Sequence, residues 1–484
     1  MNARLESPPL DMAASLAELD RLFALQRAAF ERERCPDLST RRDRLRRLLR
    51  LVLDDEPALI AAIDADFGGR SAHETRLAEL FVVASDAKRA LDNLRRWMRP
   101  QQVPTPLHLL PGRAEIRRQP QGVVGIVSPW NYPLQLALVP AVGALAAGNR
   151  VLLKPSELTP RLSALLKERV SRHFSADEFA VVEGDAVVGK AFVALPWDHL
   201  FFTGSTAVGR QVARAAAENL TRVTLELGGK SPALFDADAD FAAAAPRLAS
   251  GKLLNAGQTC IAPDYALVPA ARVSEFVTAV TVAVGRLYPT LAGNPDYTSI
   301  INARHYARLL ALVDDARKKG ATIVSLNPAE DKLEVGRRKL APALVVGVND
   351  SMAIMREEIF GPLLPVEAYE TLDEAIAKVN VRPRPLAFYY FGRNRARCER
   401  VLRETIAGGV TVNDTLWHFV HEELPFGGVG ASGMGAYHGE RSFVTFSHEK
   451  PVFHQPRVAG AKLLYPPYGA TFEAVLALLR KLNG

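Results

Sequence analysis

Residues 122–157 read GVVGIVSPWNYPLQLALVPAVGALAAGNRVLLKPSE. Two short apolar runs, GVVGIVSP (122–129) and RVLLKP (150–155), enclose an apolar segment of helical length. Continuous rather than alternating apolar strands belong to a sheet covered on both faces. A strand, a helix and a second strand in that order make a βαβ unit, which implies a parallel sheet. The same texture continues downstream. FAVVEG (179–184), HLFFTG (199–204) and RVTLEL (222–227) read as strands, separated by the helical segments PRLSALLKERVSRHF, DAVVGKAFVAL and STAVGRQVARAAAENL.

Outward from this core, residues 1–98 show leucines at helical spacing and end with LDNLRRWM before Pro100. In STRRDRLRRLLRLVL (39–53) leucines take one helix face and arginines the other, which reads as a solvated arginine face. QQVPTPLHLLPG (101–112) is extended and punctuated by proline, and AEIRRQ (114–119) is a strand candidate. After residue 229 a second α/β alternation runs to GGVTVND (408–414), and the tail 441–484 has strand character and aromatics. The expected class is α/β throughout.

Of the 484 residues, 48% are hydrophobic and 23% charged, which is ordinary for a soluble globular chain. The net charge of +7 sits mostly in amphipathic helices, and no zinc-finger spacing or RNA-binding aromatic signature points to nucleic acid. No apolar segment approaches the ~18 residues of a membrane span, and MNARLESPPLDMAASL lacks the apolar run of a signal peptide. Three cysteines at 35, 260 and 398 make no disulfide framework and no metal-ligand cluster. A reducing, cytoplasmic setting without metal is expected.

Several motifs carry chemistry. GSTAVG (204–209) closes a strand and opens a helix, where two glycines admit a ligand and the helix N-terminus favours an anion; a plain βα turn would read the same. GDAVVGKA (184–191) fails as a phosphate loop, because Ala191 stands where a magnesium-binding hydroxyl is required. In LELGGKSP (225–232), Glu226 sits among apolar strand residues. It is either a general base raised by desolvation or half of an ion pair. PWNYP (129–133) presents Asn131 on a rigid turn that suits an oxyanion donor or a structural bend. KPSE (154–157) sets Lys154 and Glu157 at a strand end, where a nucleotide ribose is gripped. NAGQTCIAP (255–263) places Cys260 on a glycine turn with access and backbone donors that favour the thiolate. Cys35 and Cys398 lie in charged helical contexts without such a setting.

PWNYP, LLKPSE, FTGSTAVG, LELGGKSP, NAGQTCIAP, EEIFGP (357–362) and LPFGGVGASGMGAYHG (424–439) occur together and in the order found in the aldehyde dehydrogenase superfamily. The resemblance spans about residues 120–450, and its CIAPDY and YPPY features look like the class 3 branch, closest to bacterial coniferyl aldehyde dehydrogenases. It implies a Rossmann-type cofactor domain (1–97 and 120–228), an α/β catalytic domain (229–440), and a small β oligomerisation element with tail (98–119 and 441–484). It implies Cys260 as nucleophile, Asn131 with the Cys260 N–H as oxyanion donors, and Glu226 as base, 34 residues before the cysteine. Cofactor contacts fall on Trp130, Lys154, Glu157, Gly204, Ser205, Gly209, Glu358 and Phe360. The substrate pocket falls on Tyr132, Trp417 and Phe446. NAD is the expected cofactor with NADP as a second, and a homodimer or homotetramer is the expected assembly. The expected substrate is an aromatic aldehyde such as coniferyl aldehyde, with a medium- or long-chain aliphatic aldehyde as the alternative. A CoA-acylating enzyme and a non-catalytic relative are disfavoured by the presence of Glu226, Cys260 and Asn131.

Overall fold

The apolar runs around residues 122–227 do form the strands that their texture predicts. In the computed structural model, which describes residues 12–483, these are β1 (Val123–Val127), β2 (Arg150–Lys154), β3 (Phe179–Val181), β4 (His199–Thr203) and β5 (Arg222–Glu226). They run parallel in the order β5-β4-β1-β2-β3, and the two-residue strand Gly433–Met434 adds antiparallel at the β5 edge, with Gly433 opposite Glu226. The chain thus winds from β1 to one side, then returns to the other side of β1 through β4. The first eleven residues, which include most of the stretch expected to carry no signal peptide, lie outside the described residues.

The helix Gln135–Ala147 between β1 and β2 is buried along its whole length and ends at Gly148, whose φ of +95° lets the chain leave the helix. Helices Leu38–Asp54 and Val82–Trp97 pack against it. Here the expected solvated arginine face is corrected. Arg41 and Arg44 are buried. Arg41 donates to the Ala146 and Ala147 carbonyls, a cation on the negative end of the helix dipole. Arg44 pairs with Glu178 at 3.0 Å. Helical periodicity assigns arginine to water, whereas these two serve unpaired carbonyls and carboxylates that only the fold brings near.

A second sheet holds β6 (Pro232–Phe235), β7 (Tyr265–Pro269), β8 (Thr322–Ser325), β9 (Ala343–Val346), β10 (Leu363–Tyr369), β11 (Ala387–Phe391) and β12 (Gly409–Val412). Its order is β8-β9-β10-β7-β6-β11-β12, parallel except for the edge strand β8. The strand candidate at 114–119 belongs to Arg113–Pro120, which joins Gln101–Val103 and Ser447–His454 in a three-stranded antiparallel sheet of mostly exposed residues. The rejected phosphate loop is a helix cap: Asp185 accepts from the Val187 and Val188 N–H groups of helix Ala186–Ala194.

Candidate active site

Ligands of open parallel sheets bind beyond the carboxyl ends of the strands, where the winding reverses. Here that point lies between β1 and β4. The turn after β1 carries Trp130 and Asn131; β2 ends at Lys154; Gly204 and Ser205 follow β4; and β5 ends at Glu226. Residues from four segments of sequence therefore meet on one edge. Ser205 caps the helix Thr206–Glu218 through the Val208 N–H, so that helix's positive end faces the crevice. Gly209 has no room for a side chain, because a Cβ would stand 2.6 Å from Leu227. Buried Lys154 donates to the Pro155 carbonyl at 3.1 Å and to Glu157 at 3.4 Å. Phe360 meets Trp130 edge-on at 5.3 Å between centroids, and His305 approaches the same indole at 5.0 Å.

The cysteine turn departs from ordinary backbone. Asn255, Ala256 and Gly257 have φ of +53°, +51° and +75°, three successive left-handed residues. Strain of this kind persists only where the surroundings over-determine it, and the hydrogen bonds here do so. The Asn255 N–H donates to both oxygens of Glu74, and its side-chain amide donates to the Asn131 and Gln258 carbonyls. Gln258 bonds Asn255 and Ser299, and accepts from Ile301. The Asn131 amide donates to the Gln258 carbonyl at 3.2 Å. Asn131 is thereby fixed to the loop that carries Cys260. Gly257 crosses the 357–362 segment so closely that a Cβ would lie 2.3 Å from the Gly361 carbonyl.

Cys260 is partly exposed. Burial and the nearby Glu358 and Glu226 push its thiol up to about 12, against the backbone N–H groups of Cys260 and Ile261, which favour the thiolate. The buried setting therefore runs against the low thiol pKa expected of a glycine turn: burial raises it more than the two backbone donors lower it. Glu226 is 2% exposed, and neither of its oxygens has a hydrogen-bond partner among the described residues. Burial alone holds its carboxyl well above the usual range. The ion-pair reading of Glu226 finds no cation among the described residues. Glu358 is raised to about 8, first by burial and then by Asp264, while the Gly229 N–H opposes the rise. Its carboxylate lies directly over Gly228, where a Cβ would stand 2.3 Å away.

Of the three pocket expectations, Tyr132 is buried beside the nucleophile, with its hydroxyl 2.7 Å from Thr259 Oγ1. Trp417 is 59% exposed on the short helix Trp417–Val420. Phe446 is corrected: it is fully buried in the core against Gly143, His199 and Phe201. A phenylalanine beside a glycine-rich motif reads equally as pocket or core, and helix Gln135–Ala147 claims it for the core. Cys35 is exposed in the loop before Leu38, and Cys398 lies on helix Arg395–Glu404.

Sequence reasoning missed the supports of the site. Arg70 and Glu79, both fully buried, pair at 3.2 Å. Arg70 donates to the Asn131 carbonyl at 2.8 Å, and Glu79 accepts from the Leu134 and Gln135 N–H groups that open the central helix. Glu79 lies in the π-helical stretch Arg76–Phe81, a wide turn often found at functional sites. Lys230 pairs with Asp264 and donates to the Ile354 and Glu357 carbonyls, and Arg308 donates to those of Glu358 and Ile359. These cations hold the segment that bears Glu358. The paired glycines of GGRSAHE (68–74) are the one local signal for the first group. Among the described residues, no cluster of His, Cys, Asp and Glu could hold a metal ion, and no helix is long and apolar enough to cross a membrane.

Known proteins resemble this chain over nearly its whole length. A coniferyl aldehyde dehydrogenase of Pseudomonas sp. strain HR199 is 48% identical over 446 residues, 92% of each chain. The substrate-bound structure of AldH from Staphylococcus aureus superposes with a TM-score of 0.91 at 38% identity, covering 95% of this chain and 99% of that one. An indole-3-acetaldehyde dehydrogenase, AldA of P. syringae, in complex with NAD+ gives a TM-score of 0.81 at 28% identity, over 91% of this chain and 89% of that one. The model of the aldehyde dehydrogenase family matches residues 12–452, and the chain belongs to that family.

Proposed function

We propose that the protein oxidises an aromatic aldehyde, with coniferyl aldehyde the first choice, to its carboxylic acid in an NAD-dependent reaction. The observation that carries this reading is the buried Glu226 carboxylate, without a partner among the described residues, near the Cys260 thiol on a loop that Asn255 ties to the Asn131 turn. The substrate follows the name of the Pseudomonas relative, and the cofactor follows the NAD+ complex of AldA.

The crevice fits a dinucleotide. It offers a helix N-terminus for the pyrophosphate, the Lys154–Glu157 pair for the adenosine ribose, and Glu358 for the second ribose, its Oε1 buried without a partner among the described residues. Glu157 disfavours a 2′-phosphate, so NAD is preferred over NADP. Trp130 and Phe360 wall the nicotinamide end. When bound, NAD supplies the hydride acceptor that converts the covalent adduct to a thioester.

The protein's own groups do the rest. Cys260 loses its proton to solvent and the sulfur attacks the carbonyl carbon, while burial raises the Glu226 carboxyl in the direction that suits a general base. The Asn131 amide turns from the Gln258 carbonyl to the developing oxyanion, alongside the Cys260 N–H. One such donor is worth about 3 kcal/mol. Glu226 then takes a proton from the water that hydrolyses the thioester. Tyr132 and Trp417 belong to the substrate side. Residues 1–97 and 120–228 serve the cofactor and 229–440 the thiol chemistry. The exposed sheet at 98–119 with the tail 441–484 is the assembly element of a dimer or tetramer working in the cytoplasm.

The test is NADH formation from coniferyl aldehyde and from octanal, with wild type and Cys260→Ala side by side. Turnover should vanish in the variant, and kcat/KM should favour coniferyl aldehyde. A large preference for octanal defeats the aromatic assignment, and a fully active variant defeats the mechanism.

A further inference from the structure

Helix Glu56–Phe67, the loop 292–299 and the turn 337–339 border a cavity of about 460 Å³. That volume lies within the roughly 300–1,000 Å³ of small-molecule sites. None of the residues lining it is among those assigned above to the cofactor, the aldehyde or the thiol. Part of its wall is apolar, made by Pro57, Ile60 and Ala61 of the helix.

Another part is cationic. Arg337 and Lys339 line it, on either side of Arg338, whose φ of +52° is left-handed backbone without glycine. Arg338 donates to the Phe67 and Ile300 carbonyls. Lys339 is 7% exposed and gives two of its three donors to the Leu291 and Asn294 carbonyls, which leaves one unspent. A buried ammonium is costly without an opposite charge. The setting of Lys339 works the other way: burial, and then the like charge of Arg337, push its pKa down. Asp64, the one carboxylate lining the cavity, accepts from the Arg70 N–H. Arg337 has Glu334 at 3.5 Å, but these side chains are 71% and 74% exposed, where an ion pair is worth little. Two cations short of a counter-ion beside an apolar wall suit an anion with an apolar body.

The cavity also touches the supports of the oxyanion turn. Arg70, a lining residue, donates to the Asn131 carbonyl at 2.8 Å. The carbonyl of Ser299, another, accepts from the Gln258 side chain at 3.1 Å, and the Gln258 carbonyl accepts from the Asn131 amide.

We propose that this cavity binds a carboxylate with an apolar body, the chemical class of the acid an aldehyde dehydrogenase releases, and that the bound acid slows turnover through the Arg70 and Ser299 contacts to the Asn131 turn. The binding is independent of which aldehyde is oxidised; the slowing rests on the role of Asn131 proposed above.

The experiment titrates benzoate into the enzyme by calorimetry, with benzyl alcohol as the uncharged analogue and inorganic phosphate as the anion without an apolar body. Wild type is compared with Arg337→Glu, which reverses a charge, and with Ala61→Trp, which sets an indole at an exposed position of the apolar wall. Each variant should weaken benzoate binding about tenfold or more, since a misplaced like charge or a filled cavity each costs that much. Benzyl alcohol and phosphate should bind wild type more weakly than benzoate. In turnover assays benzoate should lower kcat of wild type without raising KM for the aldehyde, and each variant, read against its own uninhibited rate, should lose that effect. Equal benzoate affinity in the three proteins, or inhibition of wild type that is purely competitive with aldehyde, overturns the proposal, because the acid then binds only where the aldehyde does. Phosphate binding as tightly as benzoate overturns it too, since the apolar wall then plays no part. If wild type oxidises no aldehyde, the function proposed above has failed instead, and the calorimetric comparison still decides the site.

Discussion

Replacing Glu226 by glutamine separates the chemical role of this carboxylate from its cost to the fold. The group is buried, without a partner among the described residues, and raised by desolvation alone from its ordinary 4.5. A carboxyl whose folded pKa is raised binds its proton longer in the native than in the unfolded state, so stability falls as pH climbs above 4.5 and levels off only beyond the folded pKa. Each pH unit in that window removes about 1.4 kcal/mol. Between pH 4.5 and 7 the upper bound is therefore about 3 kcal/mol. Glutamine cannot ionise and carries no such slope. The Glu226→Gln protein should match wild type in Tm near pH 5 and exceed it by a gap that widens towards pH 8, measured by thermal melts in matched buffers. In the same variant the thioester should form but hydrolyse slowly. A rapid burst of NADH of about one per active site should precede a steady state slowed about 10²- to 10⁴-fold, the usual worth of a general base. A Tm gap that stays flat with pH, or full steady-state turnover, would refute the assignment of Glu226 as a buried, unpaired base.

Asn131→Ala should lower kcat about 10²- to 10³-fold by removing one oxyanion donor, with native circular dichroism showing that the loop survives. Glu157→Gln should raise NADP use relative to NAD, read as the ratio of the two kcat/KM values; an unchanged ratio would show that Glu157 does not face the ribose. Arg70→Leu leaves Glu79 as an uncompensated buried charge and should destabilise by about 3–5 kcal/mol in denaturant melts. The double variant Arg70→Leu/Glu79→Leu should recover much of that loss.

The wound α/β class was legible because apolar runs of strand length and helix-length connections are local properties, and the strand expected in each run from GVVGIVSP to RVTLEL is present. The proposed nucleophile, base and amide were visible as candidates because each stands in a motif whose chemistry needs that residue type. Arg41, Arg44 and Phe446 were misplaced for one shared reason: periodicity and motif proximity say which face a residue takes, not what that face meets. The pairing of Arg70 with Glu79 spans a π-helical turn that no helical pattern announces.

The amino-acid order alone thus determined which segments become strands, which of three thiols stands on a glycine turn, and which strand ends carry charge. Only the folded molecule decided that Glu226 has no counter-ion among the described residues, that burial pushes the Cys260 thiol up, and that Arg70 and Glu79 meet beneath the Asn131 turn. Desolvation and partner choice depend on every neighbour in space, and those neighbours come from segments far apart in the chain.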